Sequence, residues 1–331
     1  MSVDIREIDL HDETQLRSWW EVGRAASVER AIDTWPAWEV SRVALPLPSH
    51  DIDKVLVGAW ENGRLVAAGM LVLFVLDNTH LAEVSVYVVP PERRRGIGTA
   101  VLGELEARAK TAKRRSLLGS VMAPVGAESP GSLFAAARGY EVGSDEEIKA
   151  VDLVSAQVTW PALDREVAAA PGEYRVKVFE NRTPAVYVDD FCALLSVLIR
   201  EIPTGSLDLE DAAWTPERLR EGERRGVETG RTQIVGVAVA PDGHLCGFTD
   251  LKVNRDARHG SVGATLVLPA HRGHRLGLAM KLATHRRVLE LFPDLGFVET
   301  GNAGVNVWMN DVNARMGYRV VERCLDVQKR L

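Results

Sequence analysis

VSVYVVPPERRRGIGTAVL, residues 84–102, and VGATLVLPAHRGHRLGLAMKL, residues 262–282, are the two stretches on which the fold of this chain turns. Each reads as a β-branched strand that stops at a proline, then a basic loop containing glycine, then a run with apolar residues at helical spacing. Arg93 and Arg272 stand 179 positions apart, as do Gly98 and Gly277. The Gly139-Tyr140 and Gly317-Tyr318 pairs further on stand 178 apart. Independent anchors at a nearly constant offset identify a tandem duplication.

Working outward, each copy has a hairpin ahead of its loop. Residues 55–60 and 65–76 flank Glu61-Asn62-Gly63-Arg64, and residues 234–240 and 245–253 flank Pro241-Asp242-Gly243-His244. Asn-Gly and Asp-Gly accept the positive φ of tight hairpin turns. Each copy also opens as strand then helix. Residues 4–8 precede helical spacing at Leu16, Trp19, Trp20 and Gly23, and residues 174–179 precede Phe191, Leu194, Leu195 and Leu198. The expected division is a first domain over 1–155, a connector over 156–172 with Pro171-Gly172 as a break, and a second domain over 173–331.

Composition narrows the classes. A net charge of −6 speaks against a nucleic-acid-binding surface, and the three arginines 93–95 supply too few phosphate contacts for one. The longest run of apolar residues and glycine, residues 65–76, is too short to span a bilayer, and the opening MSVDIREIDLHDE has no apolar signal core. A cytoplasmic chain with no membrane or nucleic-acid partner is the expectation. Cys192, Cys246 and Cys324 show no CxxC spacing, and His259, His271 and His274 have no Cys or Asp partner at ligand spacing. Neither a disulfide framework nor a metal site is expected.

The first loop carries the chemistry. Arg93-Arg94-Arg95-Gly96-Ile97-Gly98-Thr99 lies between a strand and a helix, where unpaired N–H groups and the positive end of the helix dipole suit a phosphate or pyrophosphate. Gly96 and Gly98 let backbone amides approach a ligand without Cβ interference. The spacing is neither the GxGxxG of a dinucleotide site nor a P-loop. Arg-x-x-Gly-x-Gly between strand and helix, after a hairpin, resembles the pyrophosphate loop of the GNAT acyltransferase superfamily, and the resemblance extends over both copies. It implies an α/β chain of two tandem GNAT-like domains, each a mixed, mostly antiparallel sheet flanked by helices.

The same resemblance implies an N-acetyltransferase that uses acetyl-CoA as acyl donor and a small-molecule primary amine as acceptor. Amides from Arg94 to Thr99 would hold the pyrophosphate, with Arg93 beside them in the cofactor loop, and Val86, Tyr87 and Val88 would pair with the pantetheine amides. In the second copy Val267, Arg272, Gly273, His274, Arg275 and Gly277 take those places, with Arg275 where the pattern has its central glycine. Asn302 and Asn306 resemble the asparagine segment after the family's fifth strand, which the first copy lacks. Each copy keeps a different half of the binding signature.

For the proton transfers, alternation puts Glu83, Ser85 and Tyr87 on one strand face and Val84, Val86 and Val88 on the other. The polar row suggests a face that lines a cleft, and Glu83 matches the glutamate that the family often turns toward the acceptor. The corresponding positions at the 179 offset are Val262, Ala264 and Leu266, with no carboxylate. The tyrosine the family often uses as acid is replaced by Ala135 and Asn313; in the first copy Tyr87 is a candidate substitute, and departure as thiolate or protonation through water stays open beside it. Trp19 and Trp20 continue an amphipathic helix and are expected in the core. For Trp35 and Trp38 two readings stay open, an acceptor wall or packing between domains. Catalysis in the second copy, and acyl-CoA binding without transfer, are the competing functional readings.

Overall fold

A computed structural model describes residues 3–256 and 258–331. In chain order the first copy supplies β1 (Asp4–Glu7), α1 (Glu13–Ala26), α2 (Trp38–Ala44), β2 (Ile52–Glu61), β3 (Arg64–Phe74), β4 (Leu81–Val88), α3 (Ile97–Thr111), β5 (Ser116–Ala123), α4 (Pro130–Ala137) and β6 (Glu141–Val151). Then come α5 (Leu153–Ala156), α6 (Trp160–Ala168), β7 (Arg175–Glu180), α7 (Val188–Glu201), α8 (Pro216–Glu228), β8 (Thr232–Val239), β9 (Leu245–Val253), β10 (His259–Val267), α9 (Leu276–Leu291), β11 (Phe297–Ala303), α10 (Val307–Arg315) and β12 (Arg319–Arg330).

Two compact units result, and neither is a contiguous half. The first takes Met1–Asp145, Thr204–Glu210 and Glu322–Leu331; the second takes Glu146–Pro203 and Asp211–Val321. In the first, the sheet runs β1-β2-β3-β4-β5 and is completed by β12, whose residues Arg323–Arg330 pair antiparallel with β5. In the second, β7-β8-β9-β10-β11 is completed by the end of β6, with Val151 opposite Val298. The closing strands are thus exchanged between the copies, which a division of the sequence near residue 155 does not foresee. Within the expected connector, residues 156–172, α6 buries Trp160 and Leu163 in the second unit's core.

Each sheet is antiparallel except at one place. β4 pairs parallel to β5 over Leu81–Glu83 against Ser116–Leu118, and β10 pairs parallel to β11 over His259–Val262 against Phe297–Thr300. Beyond Glu83 and Val262 the two ladders stop, so each parallel pair splays toward the loop that follows. One face of the first sheet packs α3 through Val101, Leu105 and Ala109; the other packs α1 and α2 through Leu16, Trp19, Trp20 and Trp38. A fully buried aliphatic side chain of this kind contributes about 1.5–3 kcal/mol. The first hairpin turns on Asn62 and Gly63, both at positive φ, as the sequence predicts. The second has positive φ at Gly243 alone and is wider, with Asp242 accepting from the His244 amide.

Candidate active site

In the first unit β4 ends at Val88, Pro90 and Pro91 lead into a short turn, and Gly96 starts α3 in a left-handed conformation (φ 82°). Among the described residues no side chain caps α3. The contrast with α1, α4 and α8, capped by Asp12, Ser129 and Thr215, is informative. The amides of Ile97, Gly98 and Thr99 have no intrahelical acceptor and no capping oxygen, so they are available to an anion. A Cβ on Gly96 would meet nothing within 4 Å, and one on Gly98 would come 3.3 Å from Val88.

The loop arginines do different things. Arg93 donates to the Val88 carbonyl (3.2 Å), the Ala26 carbonyl (3.1 Å) and Glu29 (2.6 Å), so its side chain braces the loop to β4 and to the end of α1. Arg95 pairs with Glu61 at 2.7 Å and with the buried Glu92, which also holds Arg64. Arg94, at positive φ, carries an exposed side chain. Of the three cations expected around the pyrophosphate, Arg94 is the one with no carboxylate partner among the described residues.

The alternation along β4 is as read. Val84, Val86 and Val88 pack against the α3 core, while Tyr87 joins the aromatic group of α1 on the opposite face. Tyr87 meets Trp35 and Trp19 edge-on, at 5.2 and 6.1 Å between ring centroids. Burial pushes its phenol up, so it keeps its proton. Trp35 rests on α1 over Gly23, where a Cβ would collide with its ring. Trp38 packs on Trp20 within the same unit (6.0 Å), which answers neither of the two readings left open for it.

Glu83 sits opposite Val72 of β3 and Leu118 of β5, on the Tyr87 face. Among the described residues no hydrogen bond reaches its carboxylate, and burial, then the neighbouring Asp326, push its carboxyl above the usual range. Asp326 comes from β12, opposite Ser120 of β5, and accepts that hydroxyl at 2.7 Å. Near the same face Arg30 pairs with the buried Glu322. Asp326 and Glu322 lie some 240 residues from Glu83; only the strand exchange brings them there, and no local motif announces them.

In the second unit the loop repeats the first with its glycine displaced. Arg94 and Gly96 hold the two left-handed positions of the first loop; Gly273 (φ 88°) and Arg275 (φ 54°) hold those of the second. Arg275 therefore keeps the bend instead of losing it. Arg272 repeats the brace of Arg93, donating to Val267 (3.0 Å) and Glu201 (2.6 Å). His274 Nδ1 lies 2.6 Å from the Pro171 carbonyl, and Gly277 faces Met309 and Thr265.

The expected asparagines do other work. Asn306 caps α10 by accepting from the Met309 amide, and Asn302 accepts from Asn313, which in turn accepts from Lys281 Nζ at 2.8 Å. Lys281 is 1% exposed, lies over the Tyr318 ring, and burial beside Lys149 drives its ammonium down to about 7. His285 is fully buried, is 2.6 Å from the Tyr318 hydroxyl, and is driven by burial down to about 3. At the places of Lys281 and Asn313 the first unit has the core residues Leu102 and Ala135, whereas the His285–Tyr318 contact has a polar counterpart there, Tyr140 donating to Glu106 at 3.2 Å.

Register corrects the counterpart of Glu83. A bulge between Val262 and Thr265 inserts a residue, so Ser261, opposite Lys252, stands where Glu83 stands opposite Val72. A carboxylate is nevertheless present on the adjoining strand: buried Asp250 fills the bulge, accepting from the Ala264 amide at 2.7 Å and pairing with Lys252 at 2.9 Å. Among the described residues no group of His, Cys, Asp or Glu is arranged to hold a metal, and no helix is long and apolar enough to cross a membrane.

A hairpin, a splayed parallel pair and a loop leading into an uncapped helix, built twice, define the acyltransferase-type fold that the loop motif implied. Residues 19–126 match the acetyltransferase (GNAT) family. A tandem GNAT protein from the clavulanic acid biosynthesis pathway is 25% identical, covers 99% of this chain and 98% of its own, and superposes with a TM-score of 0.79. At lower identity, the fold is shared by a GCN5-related N-acetyltransferase from Sphaerobacter thermophilus (18%, 99% and 95% covered, TM-score 0.66) and by Saccharomyces cerevisiae N-myristoyltransferase (12%, 100% and 79% covered, TM-score 0.60). No curated protein matches the chain. The first unit carries a GNAT-family domain, and the chain as a whole has the fold of a tandem GNAT protein.

Proposed function

We propose that the chain is an acyl-CoA-dependent N-acyltransferase, an acetyltransferase acting on a primary amine of a small molecule, and that its first unit does the chemistry. The observation that carries this reading is the conjunction, on one strand, of the unpartnered carboxylate of Glu83 and, ten residues on, a loop whose helix amides are uncapped. The residues fit the donor: Arg94–Thr99 offer amides and the Arg94 guanidinium for a pyrophosphate, and the splay beyond Glu83 leaves the backbone of Val86–Val88 free toward β5 for an amide-bearing arm. Acyl-CoA supplies the thioester carbonyl and a thiolate that leaves.

Glu83 takes the proton of the incoming ammonium, directly or through one water, so that the amine nitrogen attacks as a free base. Its raised carboxyl suits it to that task near neutral pH, since a base whose pKa lies closer to the working pH shares its proton more evenly. As the new C–N bond forms the C–S bond breaks, and the Tyr87 phenol, kept protonated by burial, is the group on that face that can return a proton to sulfur. No covalent enzyme intermediate is needed.

The test is calorimetric titration of acetyl-CoA into the full chain, a Gly96→Trp variant and an Arg275→Glu variant, followed by an amine panel read by mass spectrometry. The expected result is binding abolished by Gly96→Trp and kept by Arg275→Glu, with an N-acetyl product formed by the wild type. Binding lost only in Arg275→Glu would move the site to the second unit; tight binding with no product from any amine would leave a binding protein.

A further inference from the structure

α6 lies along α9, and its carboxylates meet the charges of the second loop. Asp164 pairs with Arg286 at 2.6 Å. Glu166 pairs with Arg275 at 3.0 Å and also with Arg315 at the end of α10. Arg275 is the residue at the head of α9, the helix start that no side-chain oxygen caps. Beyond α6 the chain continues over the same loop: the Pro171 carbonyl meets His274 Nδ1, and Tyr174 packs on the His274 ring at 4.7 Å between centroids. The remaining loop cation, Arg272, is held by Glu201. Each cationic side chain of the second loop thus has a partner from the chain itself, and the central partner is an anion.

The first loop differs in this respect. Its left-handed head is a glycine, its exposed Arg94 faces solvent, and the carboxylates around Arg95 belong to the preceding hairpin and turn. An anion arriving at the second loop would meet, beside the helix start, the negative charge of Glu166, whose carboxyl the Arg315 hydrogen bond holds below the usual range.

We infer that Glu166 is a built-in counter-ion of the second loop, which keeps the pyrophosphate of acyl-CoA from that site, so that the chain takes one equivalent of cofactor although it carries two loops. The inference rests on reading such loops as pyrophosphate sites. It assigns α6 a blocking role in the second unit, which lies outside the chemistry proposed for the first. Releasing Glu166 leaves Arg275 without its anion at a helix start that already favours one, and leaves Arg315 with Asp311 at 3.8 Å.

The experiment is calorimetric titration of coenzyme A into the full chain and into Glu166→Gln, each with and without Gly96→Trp, at low salt. Wild type is expected to bind one equivalent and Glu166→Gln two, the second event persisting with Gly96→Trp and disappearing when Arg275→Glu is added. Removing a full negative charge from beside a bound anion is expected to tighten the second site by about tenfold or more, and the gain shrinks as salt rises. Glu166→Ser, with thermal melts on both variants, guards against a fold effect of one substitution. Two equivalents on the wild type, or no added event in either folded variant, overturns the inference. Failure of the first site alone shows differently, as no binding by wild type alongside a single event in Glu166→Gln.

Discussion

The two loops are the same piece of backbone run with the glycine in different places. Both bends need two left-handed residues; the first loop spends glycine on the second of them, the other on the first. The braces from Arg93 and Arg272 are likewise the same contact made twice. What separates the units is what faces each loop. The first keeps an open helix start and an unpartnered Glu83 on its strand; the second has Ser261 at that register, a satisfied Asp250 in a bulge and Glu166 on its loop. Duplication preserved the backbone and its braces, whereas the groups that would hold a ligand or move a proton diverged.

The largest effect is expected where the units differ most in chemistry. Glu83→Gln should lower kcat/KM for the amine by about 100-fold or more, the usual loss of a positioned base, while acetyl-CoA affinity stays within twofold of wild type. Because Glu83 is raised above the usual carboxylate range, the rate should rise with pH through a limb displaced toward neutral, and Glu83→Gln should abolish that limb. Ser261→Ala should leave turnover unchanged. Equal losses from the two substitutions would erase the distinction between the units.

The next effect is on stability and belongs to the second unit alone. Among the described residues no carboxylate pairs with Lys281, so a neutral side chain of similar volume removes the cost of burying its charge, against the loss of the donor to the buried Asn313 Oδ1. Lys281→Met should therefore raise the denaturation midpoint at neutral pH. The sign with pH follows from its depressed value. The folded chain releases this proton near 7 and the unfolded chain only near 10.5. The cost of burying Lys281 is thus full below about pH 7 and fades as pH rises toward 10.5, so wild type and Lys281→Met should converge in alkali. His285, held neutral down to about 3 against an ordinary 6.5, works in the acid range: wild-type stability should fall as pH drops through that window. Melts from pH 4 to 10 read both trends, and a constant gap between the two proteins would sink the Lys281 argument.

The part of this molecule that was legible in the sequence is the part fixed by local chemistry. The loop motif, the Asn62-Gly63 turn and the alternation along β4 depend on residues within a few positions of one another, and each appears where the sequence puts it. The exchange of β6 and β12 was not legible, because strand partners with equal patterns cannot be told apart by periodicity. Asp326 and Glu322 were hidden for the same reason. The bulge at 262–265 shifts register by one residue, which no spacing argument detects, so a constant offset pairs Val262 with Glu83 where the register pairs Ser261. Lys281 did leave a signal: it stands on the inward stripe of α9 beside Leu278, Leu282 and His285, where a lysine is out of place.

The smallest effect tests the backbone identity of the two loops. A non-glycine residue in the left-handed region costs about 1–2 kcal/mol, so Gly96→Arg should lower stability by about 1 kcal/mol and leave the first unit folded, because Arg275 shows that the bend accepts a side chain. The reverse exchange should differ. Arg275→Gly relieves that strain, but it frees the unfolded chain by about 0.4–1 kcal/mol and gives up an ion pair worth under about 1 kcal/mol, so the net change should lie near zero. Urea denaturation of the two variants reads the asymmetry directly. If Gly96→Arg instead unfolded the first unit, the two bends would not be the same structure, and the displaced glycine would mark two loops that diverged in backbone as well as in what faces them.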